Sequence, residues 1–169
     1  MTRKRIRLIS ALALTIWALG CAHASFQGGV YRDEEASYHV GEFGSDWRRL
    51  ELDEPTDLAF EAPALDVVAQ VNASCDPALD IPLSSLTNHL LIGFTEREGR
   101  EQQTLPFAQR EALFTQLDAK LDGVPRRLRL VVLKKNGCVY DFALIGPPDA
   151  RFDRARRDFD AWLSGFSAP

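Results

Sequence analysis

Residues 127 to 146 constrain the fold more than any other stretch of the chain. Two apolar runs, RLRLVVLKK and CVYDFALIG, are joined there by Asn136-Gly137. An Asn-Gly pair between two such runs favours a two-residue turn, because both of its residues readily adopt positive φ. The pattern predicts a central antiparallel hairpin, and the rest of the chain must supply neighbours for its two strands.

Several shorter segments have the composition of such neighbours. Val30 to Val40 contains two aromatic-bearing pieces around an acidic turn, which predicts a small hairpin. Leucine and phenylalanine alternate with polar residues in 47–52 and again in 57–62, and 66–73 reads as a continuous strand. Together these segments predict an antiparallel sheet.

Arg110 to Leu121 is compatible with either a strand or a helix. Its leucines alternate with polar residues as in a strand, yet most of its residue types are good helix formers. We favour a strand, because Asp122-Gly123 would turn it directly into the central hairpin. The polar run from Glu96 to Gln103 is interpreted as an exposed loop or hairpin tip.

Two segments have helical periodicity. Between Asp80 and Phe94 the leucines recur at helical spacing, and between Pro148 and Phe166 six apolar residues fall on one stripe. Both helices are amphipathic and would lie on the sheet. The fold class predicted from the residues is therefore α+β, with an antiparallel sheet flanked by helices.

The N-terminus has the features of a bacterial export signal. Four basic residues precede the short apolar run Leu8 to Leu19, which is too short to span a bilayer comfortably. We assign residues 1–20 to a signal peptide, 21–29 to a lipidated N-terminus with a short tether from Ser25 to Gly29, and 30–169 to one domain.

Two processing sites compete at the end of this signal. Gly20-Cys21 after an apolar run resembles a lipobox, in which Cys21 becomes lipid-modified. Ala22-His23-Ala24 is instead an A-x-A cleavage site that would release a soluble protein beginning at Ser25. We favour lipidation of Cys21, which predicts a protein of the cell envelope anchored by lipid, with a soluble periplasmic or secreted form as the alternative.

The cysteine count agrees with export under either cleavage. The chain has three cysteines, and lipidation or removal of Cys21 leaves Cys75 and Cys138 as a pair. In an oxidising compartment we expect these two to form a disulfide. The alternative is a pair of buried reduced thiols.

The charge balance limits the class of partner. Without the four basic residues of the signal, 16 Lys and Arg remain against 24 Asp and Glu. A net charge near −8 argues against nucleic acid as the main partner. We therefore expect a protein partner. Contact with a membrane would come through the N-terminal lipid.

No motif in the sequence predicts catalysis, a metal or a cofactor. Ser85 and His89 lie four residues apart on the first predicted helix with Asp80 nearby, but the G-x-S-x-G motif of serine hydrolases is missing. Histidine and cysteine are too scattered for a zinc site. We therefore expect a non-enzyme without a cofactor, and keep an envelope hydrolase built on Ser85 and His89 as an alternative.

Basic residues cluster along the central hairpin and form a candidate docking patch for an acidic partner. Charge that protects a strand edge is an equal alternative for them. The residues are Arg126, Arg127, Arg129, Lys134 and Lys135.

The order of predicted elements resembles the PsbP-like superfamily, of the PsbP and DcrB type. The resemblance rests on the turn region from Tyr38 to Trp47, on Leu83 to Phe94, on Gly137 to Leu144 and on Trp162 to Phe166. It implies an α/β/α sandwich and an accessory or docking role without catalysis, and it assigns no binding residue. The function expected from the chain is that of a non-catalytic envelope lipoprotein that docks a protein partner, with a small-ligand carrier as a further alternative.

Overall fold

The computed structural model describes residues 24–52 and 56–169 of the 169-residue chain. The predicted signal peptide and Cys21 fall outside these residues.

The described residues form a small sheet and a large sheet with two α-helices. The small sheet has three antiparallel strands in the order β1-β2-β3: β1 Ser25–Gln27, β2 Val30–Arg32 and β3 Ser37–His39. The large sheet has seven strands in the order β4-β5-β6-β10-β9-β8-β7, and each neighbouring pair is antiparallel. Its strands are β4 Arg48–Leu50, β5 Leu58–Ala62, β6 Val67–Ser74, β7 Phe94–Phe107, β8 Arg110–Leu121, β9 Val124–Lys135 and β10 Cys138–Gly146, and the helices are α1 Leu83–Leu90 and α2 Ala150–Ser164.

The two turns predicted from Asn-Gly and Asp-Gly are confirmed. Asn136 and Gly137 have φ of 54° and 83° and join β9 to β10, with Lys135 directly opposite Cys138. Asp122 and Gly123, with φ of 50° and 80°, join β8 to β9 in the same way. The segment from Arg110 to Leu121 is a strand, as expected from the turn that follows it.

The helices lie on opposite faces of the large sheet. Strand alternation sends Tyr140, Phe142 and Leu144 of β10 toward α2, where they pack with Phe152 and Trp162. Ala143 of β10 and Leu128 and Leu130 of β9 point the other way and pack under the end of α1. The result is the predicted α+β arrangement of helix, antiparallel sheet and helix, with the small sheet added on the α2 side.

Two expectations about the chain are wrong. The run from Glu96 to Gln103 is not a loop but the middle of β7, an edge strand with almost every residue exposed. Ser25 to Gly29 is also not a tether, because Ser25–Gln27 forms β1 and pairs with Val30–Arg32. The side chain of Phe26 packs against Phe60 in the main core, which fixes this first strand to the domain.

Candidate functional site

The basic residues predicted as a docking patch lie on β9, a central strand, and alternate between its two faces. Arg129 donates to Asp160 of α2 at 2.9 Å, whereas Lys134 donates to Asp80 beside α1 at 2.7 Å. The others are also occupied: Arg126 pairs with Asp66, Arg127 with Asp118, and Lys135 donates to the carbonyl oxygen of Ala108. These contacts neutralise most of the charge on which the patch depends, so docking there stays a prediction.

The residues of the alternative hydrolase are not assembled into a catalytic arrangement. Ser85 is half-buried and His89 is exposed on α1, and no hydrogen bond joins them in the described part of the chain. Asp80 is engaged by Lys134. A nucleophile needs a base within hydrogen-bonding reach, and this geometry does not supply one.

The described residues contain neither a cluster that could hold a metal ion nor a helix that could span a membrane. Within residues 24–52 and 56–169, no group of three or more His, Cys, Asp or Glu is placed to hold a metal ion. Within the same residues, neither helix has the length and apolar character needed to cross a bilayer.

Cys75 and Cys138 form the predicted disulfide. The bond joins the residue after β6 to the first residue of β10, and it continues the register in which Ser74 lies opposite Val139. It closes one end of the large sheet, called here the disulfide end. The Sγ atom of Cys75 also lies 3.3 Å from the carbonyl oxygen of Glu35, in the turn between β2 and β3.

A cleft of about 460 Å³ opens at the disulfide end. One wall is the β9–β10 turn with Cys138 and Val139, and the other is the loop before α1, which supplies Leu79 and Asp80. The cleft mixes charged and apolar side chains. Its volume lies within the range of small-molecule sites.

Beside the disulfide, tyrosines and carboxylates form a network that links the two sheets. Tyr31 of β2 donates its hydroxyl hydrogen to Asp33 at 2.9 Å, and Tyr38 of β3 donates to Asp57 at 3.1 Å. The backbone N–H of Ala73 in β6 donates to the same Asp57 oxygen at 2.9 Å. Asp57 is therefore one of the points at which the small sheet is attached to the large one.

Burial controls the protonation of this network. Burial raises the pKa of Asp57 to about 6, although hydrogen bonds from Ala73 and Tyr38 oppose the shift. Burial and the nearby charge of Asp57 raise the pKa of Asp141, on β10, to about 7, while a hydrogen bond with Asn72 opposes it. Burial also raises the pKa of Tyr38. The fold therefore favours the neutral form of all three side chains.

Sequence reasoning missed this network. The sequence places Tyr31 and Tyr38 in the aromatic-bearing pieces of a small hairpin and predicts no polar role for them. In the structure their rings stack at a centroid distance of 5.0 Å. Asp57, the carboxylate partner of Tyr38, lies 19 residues after it in the sequence, and Asp141 lies on the β9–β10 hairpin far along the chain. No local sequence pattern connects these positions. The one local indication of a buried polar group is Asp141 itself, an acidic residue within the apolar run of β10.

The opposite end of the large sheet carries an exposed apolar surface. It consists of Ile92, after α1, and of Leu121 and Val124, on either side of the β8–β9 turn, with exposed fractions of 76, 37 and 49%. Leu121 lies opposite both Val124 and Phe94, so the three strands form one apolar row. The described chain exposes four large hydrophobic residues, and three of them lie here. We call this surface the apolar end.

Comparisons with known proteins identify the fold. No protein-family model matches the chain, and no curated protein sequence is significantly similar. Among solved structures, the cyanobacterial PsbP (CyanoP) of Synechocystis matches over 96% of this chain and 99% of its own, with a TM-score of 0.56 at 16% identity. The fold is PsbP-like.

Two further structures share this PsbP-like fold in part. LpqN of Mycobacterium tuberculosis, described as involved in cell envelope biogenesis, matches over 79% of this chain and 86% of its own, with a TM-score of 0.51 at 18% identity. A protein from Bacteroides thetaiotaomicron matches over 78% of this chain and 45% of its own, with a TM-score of 0.56 at 10% identity. Identities this low establish similarity of fold alone.

Proposed function

We propose that this chain is an exported, non-catalytic accessory module of the cell envelope that docks a protein partner and is held at a membrane by a lipid on Cys21. The Cys75–Cys138 disulfide supports export, because such bonds persist in oxidising compartments. The similarity of fold to LpqN, a protein involved in cell envelope biogenesis, supports the same compartment.

The observation that carries the docking role is the apolar end. Exposed apolar side chains gathered in one place are typical of interaction surfaces, whereas scattered ones need no explanation. Ile92, Leu121 and Val124 are such a group. We expect the partner to present apolar side chains to them.

The position of the N-terminal strand indicates how the apolar end would be oriented relative to the membrane. Ser25 lies opposite Arg32, next to the turn in which the Glu35 carbonyl oxygen contacts Cys75. The N-terminal strand therefore starts near the disulfide end, and a lipid on Cys21 would place the bilayer within about 15 Å of Ser25. The apolar end lies at the other end of β9, about 35 Å away, and would face away from that bilayer.

Site-specific photocrosslinking in intact cells tests the docking role. A photoreactive residue in place of Leu121 is expected to give a discrete adduct with one envelope protein, and Val124→Ser in the same chain is expected to weaken it. A photoreactive residue in place of Leu52, which is 50% exposed elsewhere, is the matched control. Equal adducts from both positions, or none from Leu121, would contradict docking at the apolar end.

Lipid attachment is tested separately. Labelled palmitate should enter the wild-type protein and not Cys21→Ser, and the variant should move from the membrane fraction to the soluble fraction. A wild-type protein that begins at Ser25 and carries no label would refute the anchor while leaving export intact.

The cleft at the disulfide end favours a second candidate, a carrier of small ligands. Its volume of about 460 Å³ would accept a small molecule, and Val139 offers it an apolar wall. Native mass spectrometry of protein taken from the envelope should then show a bound small molecule. A single species at the mass of the chain alone would argue against the carrier.

A further inference from the structure

The face of the large sheet that carries α2, called here the α2 face, is only partly covered. The helix packs on β6 and β10, and the outer strands β7 and β8 extend beyond it. On this face Phe114 and Gln116 of β8 are half-buried, and Gln103 and Glu101 of β7 are exposed. They line an open trough beside α2, made of two adjoining hollows of about 410 and 240 Å³ that share Glu101 and Gln116.

A bulge in β7 points Glu98 and Glu101 to this face together. Three residues apart, they would lie on opposite faces of a regular strand. Here Glu98 lies opposite Asp118 and Glu101 lies opposite Gln116, and residues opposite each other point to the same face. Arg100, directly before Glu101, alternates to the other face. Both glutamates therefore border the trough.

The two glutamates are the charged groups of the trough that lack a partner. Arg127 makes two hydrogen bonds to Asp118, at 2.7 and 2.8 Å. Arg129 donates to Asp160 of α2 at 2.9 Å. Neither glutamate makes a hydrogen bond or an ion pair with a described residue. The unbalanced charge in the trough is therefore negative, and its complement is a cation.

We propose that the trough docks an extended segment of a partner protein in which two basic residues are separated by one other residue. The register sets this spacing. The residues opposite Glu98 and Glu101 are two apart on β8, so the two positions are about 6.8 Å apart along the sheet. Alternate residues of an extended chain point to one side at the same distance. This surface lies on the face opposite the apolar end and is a second site of contact.

Gln103 and Gln116 supply the polar contacts that the backbone of such a segment needs. Backbone N–H and C=O groups that leave water must be hydrogen-bonded, and a side-chain amide offers both a donor and an acceptor. Neither glutamine side chain is hydrogen-bonded to a described residue. Phe114, opposite Gln103, adds an apolar surface for the aliphatic part of a basic side chain.

A pair of synthetic peptides tests the spacing. Both are capped heptapeptides of threonine with two lysines, which stand at alternate positions in one peptide and side by side in the other. Their composition and charge are equal, so attraction to an acidic protein in general does not distinguish them. NMR titration of the isotope-labelled mature protein, with its disulfide intact, is done at low ionic strength. The alternate peptide should shift the amide signals of Glu98, Glu101 and Gln116, and should bind about threefold or more tightly than its isomer.

Substitutions in the trough test its residues. Glu98→Gln and Glu101→Gln should each weaken binding of the alternate peptide roughly two- to fivefold and remove its advantage over the isomer. Glu111→Gln, an exposed change on the opposite face of β8, is the matched control and should leave both affinities unchanged. Equal affinities for the two peptides overturn the proposal. It is equally overturned by unchanged binding to the Glu98→Gln/Glu101→Gln variant, or by signals that do not move at millimolar peptide.

Discussion

Asp57 and Asp141 hold their protons at pH values where carboxyl groups in water are ionised. Burial raises their pKa values to about 6 and about 7, from an ordinary value of 3.8. Between pH 3.8 and about 7 the folded protein retains protons that the unfolded chain has lost. Raising the pH through this range therefore favours unfolding, and the loss of stability is complete above about pH 7.

Replacing Asp141 by asparagine should remove much of this pH dependence. Asparagine keeps the shape and cannot ionise, so Asp141→Asn is expected to be more stable than the wild type at pH 8 by about 2 kcal/mol and similar to it at pH 4. Denaturant unfolding at the two pH values measures this difference. Asp46→Asn, at an exposed turn position, is the control and should change neither value.

Tyr38→Phe should destabilise the protein because it removes a hydrogen bond from Asp57. The buried carboxyl loses one of its donors, which costs about 1 to 2 kcal/mol. The control is Tyr140→Phe, since the hydroxyl of Tyr140 makes no hydrogen bond to a described residue. Equal losses for the two variants in denaturant unfolding would mean that the Tyr38–Asp57 bond contributes nothing of its own.

Among elements, the loop after β3 and the end of α2 approach each other closely enough to require glycine. The N–H of Gly41 donates to the carbonyl oxygen of Trp162 at 3.0 Å, and Gly165 lies against Gly41. A Cβ atom on Gly41 would stand 2.7 Å from that oxygen. Glycine is required there by the approach of two backbones and not by its dihedral angles.

Gly41→Ala should therefore separate the loop from α2. We expect a loss of about 2 to 3 kcal/mol in the free energy of unfolding, because backbone must move to accept the methyl group. Gly44→Ala, three residues later, adds a Cβ with no atom within 4 Å and should change stability by less than about 0.5 kcal/mol. Similar values for both variants would refute the close-approach argument.

Elements were predictable from the sequence where one face is buried or a turn requires special residues. The β8–β9 and β9–β10 hairpins follow from Asp122-Gly123 and Asn136-Gly137. Strand β7 does not follow, because both of its faces are exposed over 96–104 and nothing imposes an apolar alternation. It becomes a strand because β8 supplies a ladder of backbone partners.

For the whole molecule, removal of the disulfide is expected to lower the free energy of unfolding more than any of the substitutions above. It closes a segment of 63 residues, so its removal should cost about 4 kcal/mol through the entropy of the unfolded chain. Unfolding in urea with and without dithiothreitol measures the loss. A Cys75→Ser/Cys138→Ser variant should match the reduced protein and ignore dithiothreitol, and a reductant effect that persists in this variant would assign the change to another cause.

At this scale the fold class and the disulfide could be predicted from the sequence, while the surfaces could not. Apolar periodicity and the number of cysteines can be taken directly from the sequence. Whether Leu121 and Val124 are covered depends on how far α1 extends over the sheet, and that is set by packing. The same holds for Arg129 and Lys134 of β9, whose partners come from distant segments.

The length of β9 acts as a spacer. If the lipid proposed for Cys21 anchors the disulfide end and β9 stands along the membrane normal, a molecule that meets Leu121 and Val124 would do so about 35 Å above the headgroups. A partner confined to the bilayer, with only short loops outside it, could not reach that height. Under the proposed anchoring, the partner would therefore either diffuse in the surrounding aqueous space or carry a tall domain of its own.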